Sequence, residues 1–224
     1  MYVALVGDIQ GSKLFPDQKS LFTGLQEQFD WVNSHVTAVQ KLRFTVGDEF
    51  QAAYETVLAA FKAVIFLRLK FKVAKLEFEH ESPGLARNQE VRFGLAYGRI
   101  SVFPDKSEPY GQSGEAWWEA REAIEEAESP KNQRQVPYSM QTRFRGLTPS
   151  MAAMTNSFWL AMDQVLYRMD RTDAEIALGS LTGLKQTEIA QQLNLSQPVV
   201  SRRSKRNGIF TVLRILDELE GLAI

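Results

Sequence analysis

Two aspartates, each preceded by glycine, stand where the first half of this 224-residue chain could do chemistry. Asp8 closes the apolar run "YVALVGD". Asp48 lies in "KLRFTVGDEF", where apolar and polar residues alternate up to the Gly-Asp step. Taken singly, each is as well explained by a turn, and Gly47-Asp48 has the Gly-X form of a two-residue hairpin connection. Taken together, two carboxylates at strand ends can hold a hard cation. The chain has no cysteine, and its two histidines, His35 and His80, lie far apart in sequence. Cysteine-zinc sites and thiol nucleophiles are therefore excluded, and a metal here would be bound through oxygen, as Mg²⁺ and Mn²⁺ are. Glu49 reads either as a third ligand or as a solvated turn acid.

A second group of chemically useful residues is contiguous. "QTEIAQQLNLSQPVVSRRSKR" (186–206) reads as a helix-turn-helix. Thr187 can cap the first helix. Ile189, Ala190 and Leu193 form its inner face. Asn194 takes the corner, where a left-handed conformation is needed. Ser196 can cap the second helix, Pro198 sits in its first turn, and Val200 returns to the core. That leaves Gln197, Val199, Ser201, Arg202 and Lys205 on or near an exposed face. Amides and hydroxyls of this kind reach base edges, while Arg and Lys contact phosphate or guanine. The alternative is a helical hairpin used only for packing. The run is similar to the "EIA..L..S...VSR" pattern of bacterial regulators and sigma-factor regions.

Elements must position both groups. "YVALVGD" reads as a buried strand. Residues 16–36 place Leu21, Leu25, Phe29 and Val32 on one helical face. "KLRFTV" alternates as a strand, and "FQAAY" follows as its return. Residues 56–78 repeat apolar positions at three- and four-residue steps, which favours a helix over a strand. "VRFGLAYGRISVF" (91–103) predicts two strands bent at Gly98, and 115–128 predicts a helix of strong formers. "SPKNQRQVPYSMQ" (129–141) reads as an excursion or linker, with a domain boundary near residue 145. Beyond it every pattern is helical, ending in "FTVLRILDELEG", where Val212, Leu213, Leu216 and Leu219 share a face. The fold class expected is an α/β palm over 1–145 followed by an all-α unit over 146–224.

A hydrophobic fraction of 44% and a charged fraction of 24% are ordinary globular values. The net charge of −1 gives no overall attraction to nucleic acid, so any basic surface is local. Absence of cysteine is compatible with a reducing cytosol. The N-terminus lacks a basic start and meets an acid by residue 8, unlike a signal peptide. The longest apolar region is broken by Lys62, Arg68 and Lys70, so no membrane span is expected.

The order strand–Asp8, helix, strand–Gly47-Asp48–strand, helix, "VRFGLAYGRIS" and a helix carrying Arg121 resembles the ferredoxin-like palm of class III nucleotide cyclases. The resemblance implies that Asp8 and Asp48 bind two Mg²⁺ or Mn²⁺ ions around a triphosphate. It implies that Arg121 serves the phosphates across a homodimer interface. The backbone from Ile9 to Ser12, leading into a helix, is placed to receive phosphate, and Lys13 reads equally as a phosphate contact or a surface lysine. The pattern also departs from those enzymes. Trp117 stands at the ribose-orienting Asn position, Phe44 at the base-selecting Lys position, and the base-selecting Asp position falls near Tyr110. "YVALVGDIQGSK", "TVGDEFQAA", "VRFGLAYGRIS" and "GEAWWEAREAI" together resemble the blocks of the SatD family. Its members are described as regulators, some with an appended helix-turn-helix. These features imply a cytosolic DNA-binding regulator whose palm senses a nucleotide with a divalent metal. The other reading is an active cyclase or nucleotidyl-transfer enzyme regulated through the helical unit.

Overall fold

The computed structural model describes residues 1–9, 12, 17–74, 91–103, 112–128, 141–146 and 148–221. Lys13, His80 and Tyr110 lie outside these residues, as does nearly all of the expected excursion over 129–141. The elements are β1 (Tyr2–Ile9), α1 (Gln18–His35), β2 (Gln40–Phe44), β3 (Phe50–Tyr54), α2 (Val57–Val73), β4 (Val91–Gly98), α3 (Glu115–Glu128) and β5 (Thr142–Gly146). Five helices follow: α4 (Pro149–Arg168), α5 (Arg171–Leu181), α6 (Gln186–Gln192), α7 (Gln197–Arg206) and α8 (Ile209–Glu220).

The strands form one mixed sheet in the order β2-β3-β1-β4-β5. All neighbours are antiparallel except β4 and β5, which run parallel. The β2-β3-β1-β4 part has the ferredoxin-like order that the sequence implies. β1 is central because it is buried on both faces, with Val3, Ala4, Leu5, Val6 and Ile9 all enclosed.

Helices cover the two faces differently. α1 and α2 bury Leu21, Leu25, Phe29 and Val32, and Val64 and Leu67, in one large apolar cluster with Val3, Leu5 and Phe93. Asp17 caps α1 by accepting from the Ser20 N–H, and Thr56 caps α2 by accepting from the Ala59 N–H. α3 lies on the opposite face, against Ala4, Val6, Ala53 and Ala96. Small residues are required there: a Cβ on Gly94 would stand 2.0 Å from the Ala120 carbonyl oxygen.

Two expectations need correction. The second strand after Gly98 is not built. β4 ends at Gly98, and Val102 makes only an isolated bridge to Ser113. The Ala116 N–H that opens α3 donates to the Arg99 carbonyl, which draws the chain off the sheet. Conversely, no strand was expected at β5, which straddles residue 145 and extends the sheet. Its short "TRFRG" gives too brief an alternation to be distinguished from a linker.

The helices after β5 pack on the outer side of α2, and their Trp159, Leu166, Ile176, Val200 and Val212 join the same apolar cluster as the sheet. The buried carboxylate of Asp163 on α4 receives the Gln141 and Thr142 N–H groups at 2.8 and 3.0 Å and pairs with Arg68 of α2. Higher on α4, the Asn156 amide accepts from the Phe144 N–H and donates to its carbonyl, both at 2.9 Å. Asn33 of α1 does the same for Leu42 in β2, at 2.8 and 3.0 Å. Among the described residues no helix is long and apolar enough to cross a membrane.

Candidate functional site

Strand register decides what Asp8 meets. Side chains alternate along β1, so Asp8 shares the α3 face with Ala4 and Val6 and lies directly opposite Arg92 on β4. An Arg92 terminal nitrogen stands 3.8 Å from the Asp8 carboxylate. Asp48 arrives from the β2–β3 connection. β2 and β3 form the expected hairpin, but the connection is longer than two residues: Phe44 pairs with Phe50, and the Thr45 N–H reaches the Glu49 carbonyl at 2.9 Å. Gly47 turns the chain with φ of 63°, the left-handed region that favours glycine.

The two carboxylates are close enough to repel. Burial pushes the Asp8 carboxyl above the usual carboxylate range, and the Asp48 charge pushes it further. Arg92 opposes both, Glu49 adds a smaller upward push, and the Ile9 N–H offsets part of it. Ser12 is buried, and its hydroxyl donates to the Asp48 carboxylate. Ile9, the last residue of β1, has a buried side chain, so only its backbone faces the site.

Glu49 sits at the turn and is partly exposed, as the turn-acid reading expects, but it has a partner that neither sequence reading supplied. It forms a two-pronged pair with Arg121 of α3, with nitrogen–oxygen distances of 3.1 and 3.2 Å. The structure therefore brings Asp8, Asp48, Ser12, Glu49 and Arg121 to one end of the sheet. Arg92 belongs with them and was missed by sequence. Its position opposite Asp8 follows from register, which a strand pattern alone does not supply.

These residues suit a hard divalent cation. The Asp8 and Asp48 carboxylates offer oxygen ligands at one partly buried place, with Arg92 3.8 Å from Asp8. Asp8 and Asp48 would hold the ion. Among the described residues, no three His, Cys, Asp or Glu side chains converge on one point. The rest of the ion's coordination would come from solvent or ligand oxygens.

The neighbouring apolar residues are committed elsewhere. Phe44 packs edge-on to Phe22 at 5.0 Å and tilts against Phe29 at 4.8 Å. Trp117 is buried between α3 and the sheet, whereas Trp118 is exposed. Neither Phe44 nor Trp117 offers a polar group to a base or ribose by the route the cyclase pattern would use.

Among the helices after β5, α6 and α7 meet through a tight corner at Asn194, whose φ of 53° is left-handed as expected. Ile189, Ala190 and Val200 face the core. The cap of α6 needs correction: Lys185 occupies the cap position, and its N–H donates to the Glu188 carboxylate at 2.6 Å. Thr187 lies two positions further along, inside the first turn. Ser196 does stand at the α7 cap position, without a side-chain hydrogen bond there. Gln197, Arg202 and Lys205 are exposed, while Val199 and Ser201 are half-buried. The Gln197 amide donates to Gln186 at 2.8 Å. Arg203 turns inward to Asp170 and Asp173, whereas Arg202 and Lys205 make no ion pair among the described residues.

Solved structures similar to this chain include adenylate cyclases from Trypanosoma brucei in their monomeric state, at 16% identity over 56% of this chain and 68% of that one, with a TM-score of 0.43. A bacterial light-regulated adenylyl cyclase matches at 16% identity over 64% and 74% of the two chains, TM-score 0.44. The active GGEEF domain of a diguanylate cyclase from Vibrio cholerae matches at 15% identity over 66% and 84%, TM-score 0.40. No curated protein matches the chain. The SatD family model matches residues 2–221, nearly the whole length including the Asp8–Asp48 site and α6–α7, and the chain belongs to the SatD family.

Proposed function

We propose that the end of the sheet around Asp8 and Asp48 binds a nucleotide through its phosphates and a divalent cation, Mg²⁺ or Mn²⁺, in the manner of nucleotide cyclases. The observation that carries this reading is the meeting at one sheet end of Asp8, paired with Arg92 at 3.8 Å, Asp48, held by the Ser12 hydroxyl, and Arg121, reached through Glu49. Two carboxylates beside arginines form an oxygen-rich, charged place that suits a cation carrying phosphate. When bound, the cation would clamp phosphate oxygens and stabilise charge on attacking and leaving oxygens. Ser12 fixes one Asp48 oxygen by hydrogen bonding to it. Arg121 supplies a planar fork suited to phosphate. Phe44, packed on Phe22 and Phe29, and the buried Trp117 replace the polar contacts that would select a purine and orient a ribose, so this site grips phosphates more than bases.

The test is calorimetry and thermal shift with ATP and GTP in Mn²⁺. Binding by the native chain, and its loss in Asp8→Ala and Asp48→Ala, supports the reading; no binding to any nucleotide sinks it. A product assay on the same mixtures distinguishes a sensor from a cyclase or other nucleotidyl-transfer enzyme.

A second reading is carried by α7. Arg202 and Lys205 are exposed and make no ion pair among the described residues, while the adjacent Arg203 is pinned inward. In that reading residues 146–224 form a DNA-binding unit with its helix-turn-helix at 186–206. Gln197, Val199 and Ser201 face base edges, and Arg202 and Lys205 contact phosphates or guanine. A homodimer would space two such helices along a two-fold site, and nucleotide binding would bias that spacing. Filter binding at several salt concentrations tests it, since phosphate contacts give a steep salt dependence.

A further inference from the structure

We infer that Glu49 is a built-in competitor for the phosphate that Arg121 would bind, so that the site is closed by its own carboxylate until a polyphosphate displaces it. This rests on the nucleotide reading above. Arg121 and Glu49 come from elements far apart in sequence, α3 and the β2–β3 connection, yet the two terminal guanidinium nitrogens each donate to one Glu49 carboxylate oxygen, at 3.1 and 3.2 Å. A two-pronged arginine–carboxylate pair has the same planar geometry as an arginine–phosphate pair. Glu49 therefore occupies the face of Arg121 that a phosphate would use. It also lies beside Asp48, so the pair bridges α3 to the turn that carries the proposed cation ligand.

The pair is exposed enough to be exchanged. The two side chains retain 52% and 36% of their accessible surface. Exposed ion pairs contribute little, and a multiply charged polyphosphate held on a cation offers Arg121 a stronger partner. A buried pair of the same geometry would have been a fixed strut. Released Glu49 would be left beside Asp48 and the incoming phosphates, where like charges oppose it. Exchange therefore turns the Glu49 carboxylate away from the site. The ligand class follows from this competition: monoanions exchange poorly with a carboxylate, whereas a triphosphate brings surplus charge.

The experiment uses the full chain with inorganic triphosphate and Mn²⁺, which removes any dependence on the base. Titration calorimetry compares the native chain with Glu49→Gln, Arg121→Ala and the double variant. Glu49→Gln is expected to bind about 3- to 5-fold tighter, the scale of an exposed ion pair. Arg121→Ala is expected to bind more weakly, and adding Glu49→Gln to it is expected to change affinity little, because the competitor then has nothing to occupy. Weaker or unchanged binding in Glu49→Gln, while Asp48→Asn still abolishes binding, overturns the competition and leaves the nucleotide reading standing. Absence of binding in the native chain and in Glu49→Gln alike overturns both. A fold defect is distinguished by thermal unfolding without ligand, in which an exposed Glu-to-Gln change is expected to shift stability only slightly.

Discussion

At the sheet site, the charged residues of interest come from four separate segments: Asp8 from β1, Asp48 and Glu49 from a turn, Arg92 from β4 and Arg121 from α3. On α7 they come from one helix of ten residues. The sheet site depends on tertiary placement, and its members perturb each other through charge. The α7 face depends on local spacing, and its exposed cations stand free of ion pairs among the described residues. A clustered site is sensitive to strand register and to pH, whereas a helical face is sensitive mainly to salt and to the corner that aims it.

The largest expected effect tests whether the two regions are energetically one body. Asp163→Ala leaves Arg68 without its buried partner and frees the Gln141 and Thr142 N–H groups, which should cost about 3–5 kcal/mol. A single unfolding transition that moves down as a whole is expected in calorimetry. Two transitions, only one of them shifted, would separate sheet and helices into independent units.

Next in size, Arg202→Ala and Lys205→Ala should each weaken DNA binding by about 1–3 kcal/mol if the residue reads guanine, or reduce the salt slope by about one if it holds phosphate. Neither change should alter Mn²⁺ binding. A change in both would show that the regions communicate.

Asn194→Ala should destabilise by about 1–2 kcal/mol, since alanine pays the left-handed penalty that asparagine tolerates. Asn194→Gly should be close to neutral. Chemical denaturation of both variants gives the comparison, and equal losses would mean the corner is not what matters.

The smallest effects concern Asp8. Its folded pKa is raised, so its contribution to stability is fully present below the unfolded value, about 3.9, and is lost as pH rises through the folded value. At neutral pH the charged carboxylate therefore costs stability in the metal-free protein. Asp8→Asn is expected to raise the metal-free Tm modestly while removing the stabilisation that Mn²⁺ gives. In the native chain Mn²⁺ affinity should climb as pH passes upward through the raised pKa, and a flat profile from acid to neutral pH would remove Asp8 from the ligand set.

Much of the framework was legible in sequence because periodicity reports burial. The α1 face of Leu21, Leu25, Phe29 and Val32 is the face that packs, and Val212 and Leu216 anchor α8 as expected. Asn194 was legible because few residues tolerate its backbone conformation. What sequence missed depends on partners that no local window contains. β5 is fixed by β4, Asn156 and Asp163. Arg92 meets Asp8 only through register. Glu49 finds Arg121 across the fold. The α6 cap is a local miss: Glu188 stands three residues after Lys185 and reaches back to its N–H, whereas the residue three after Thr187 is Ala190, which has nothing to reach back with.

Asn33 and Asn156 place matching amides at the middle of the two outermost strands, each taking up both backbone groups that point away from the sheet. A crowded cell is full of extended segments seeking such groups, and an open rim would offer them a template for runaway stacking. Here an incoming segment must first evict a side chain that already satisfies both bonds. Copies of this chain that meet thus find no ready template at the middle of either rim.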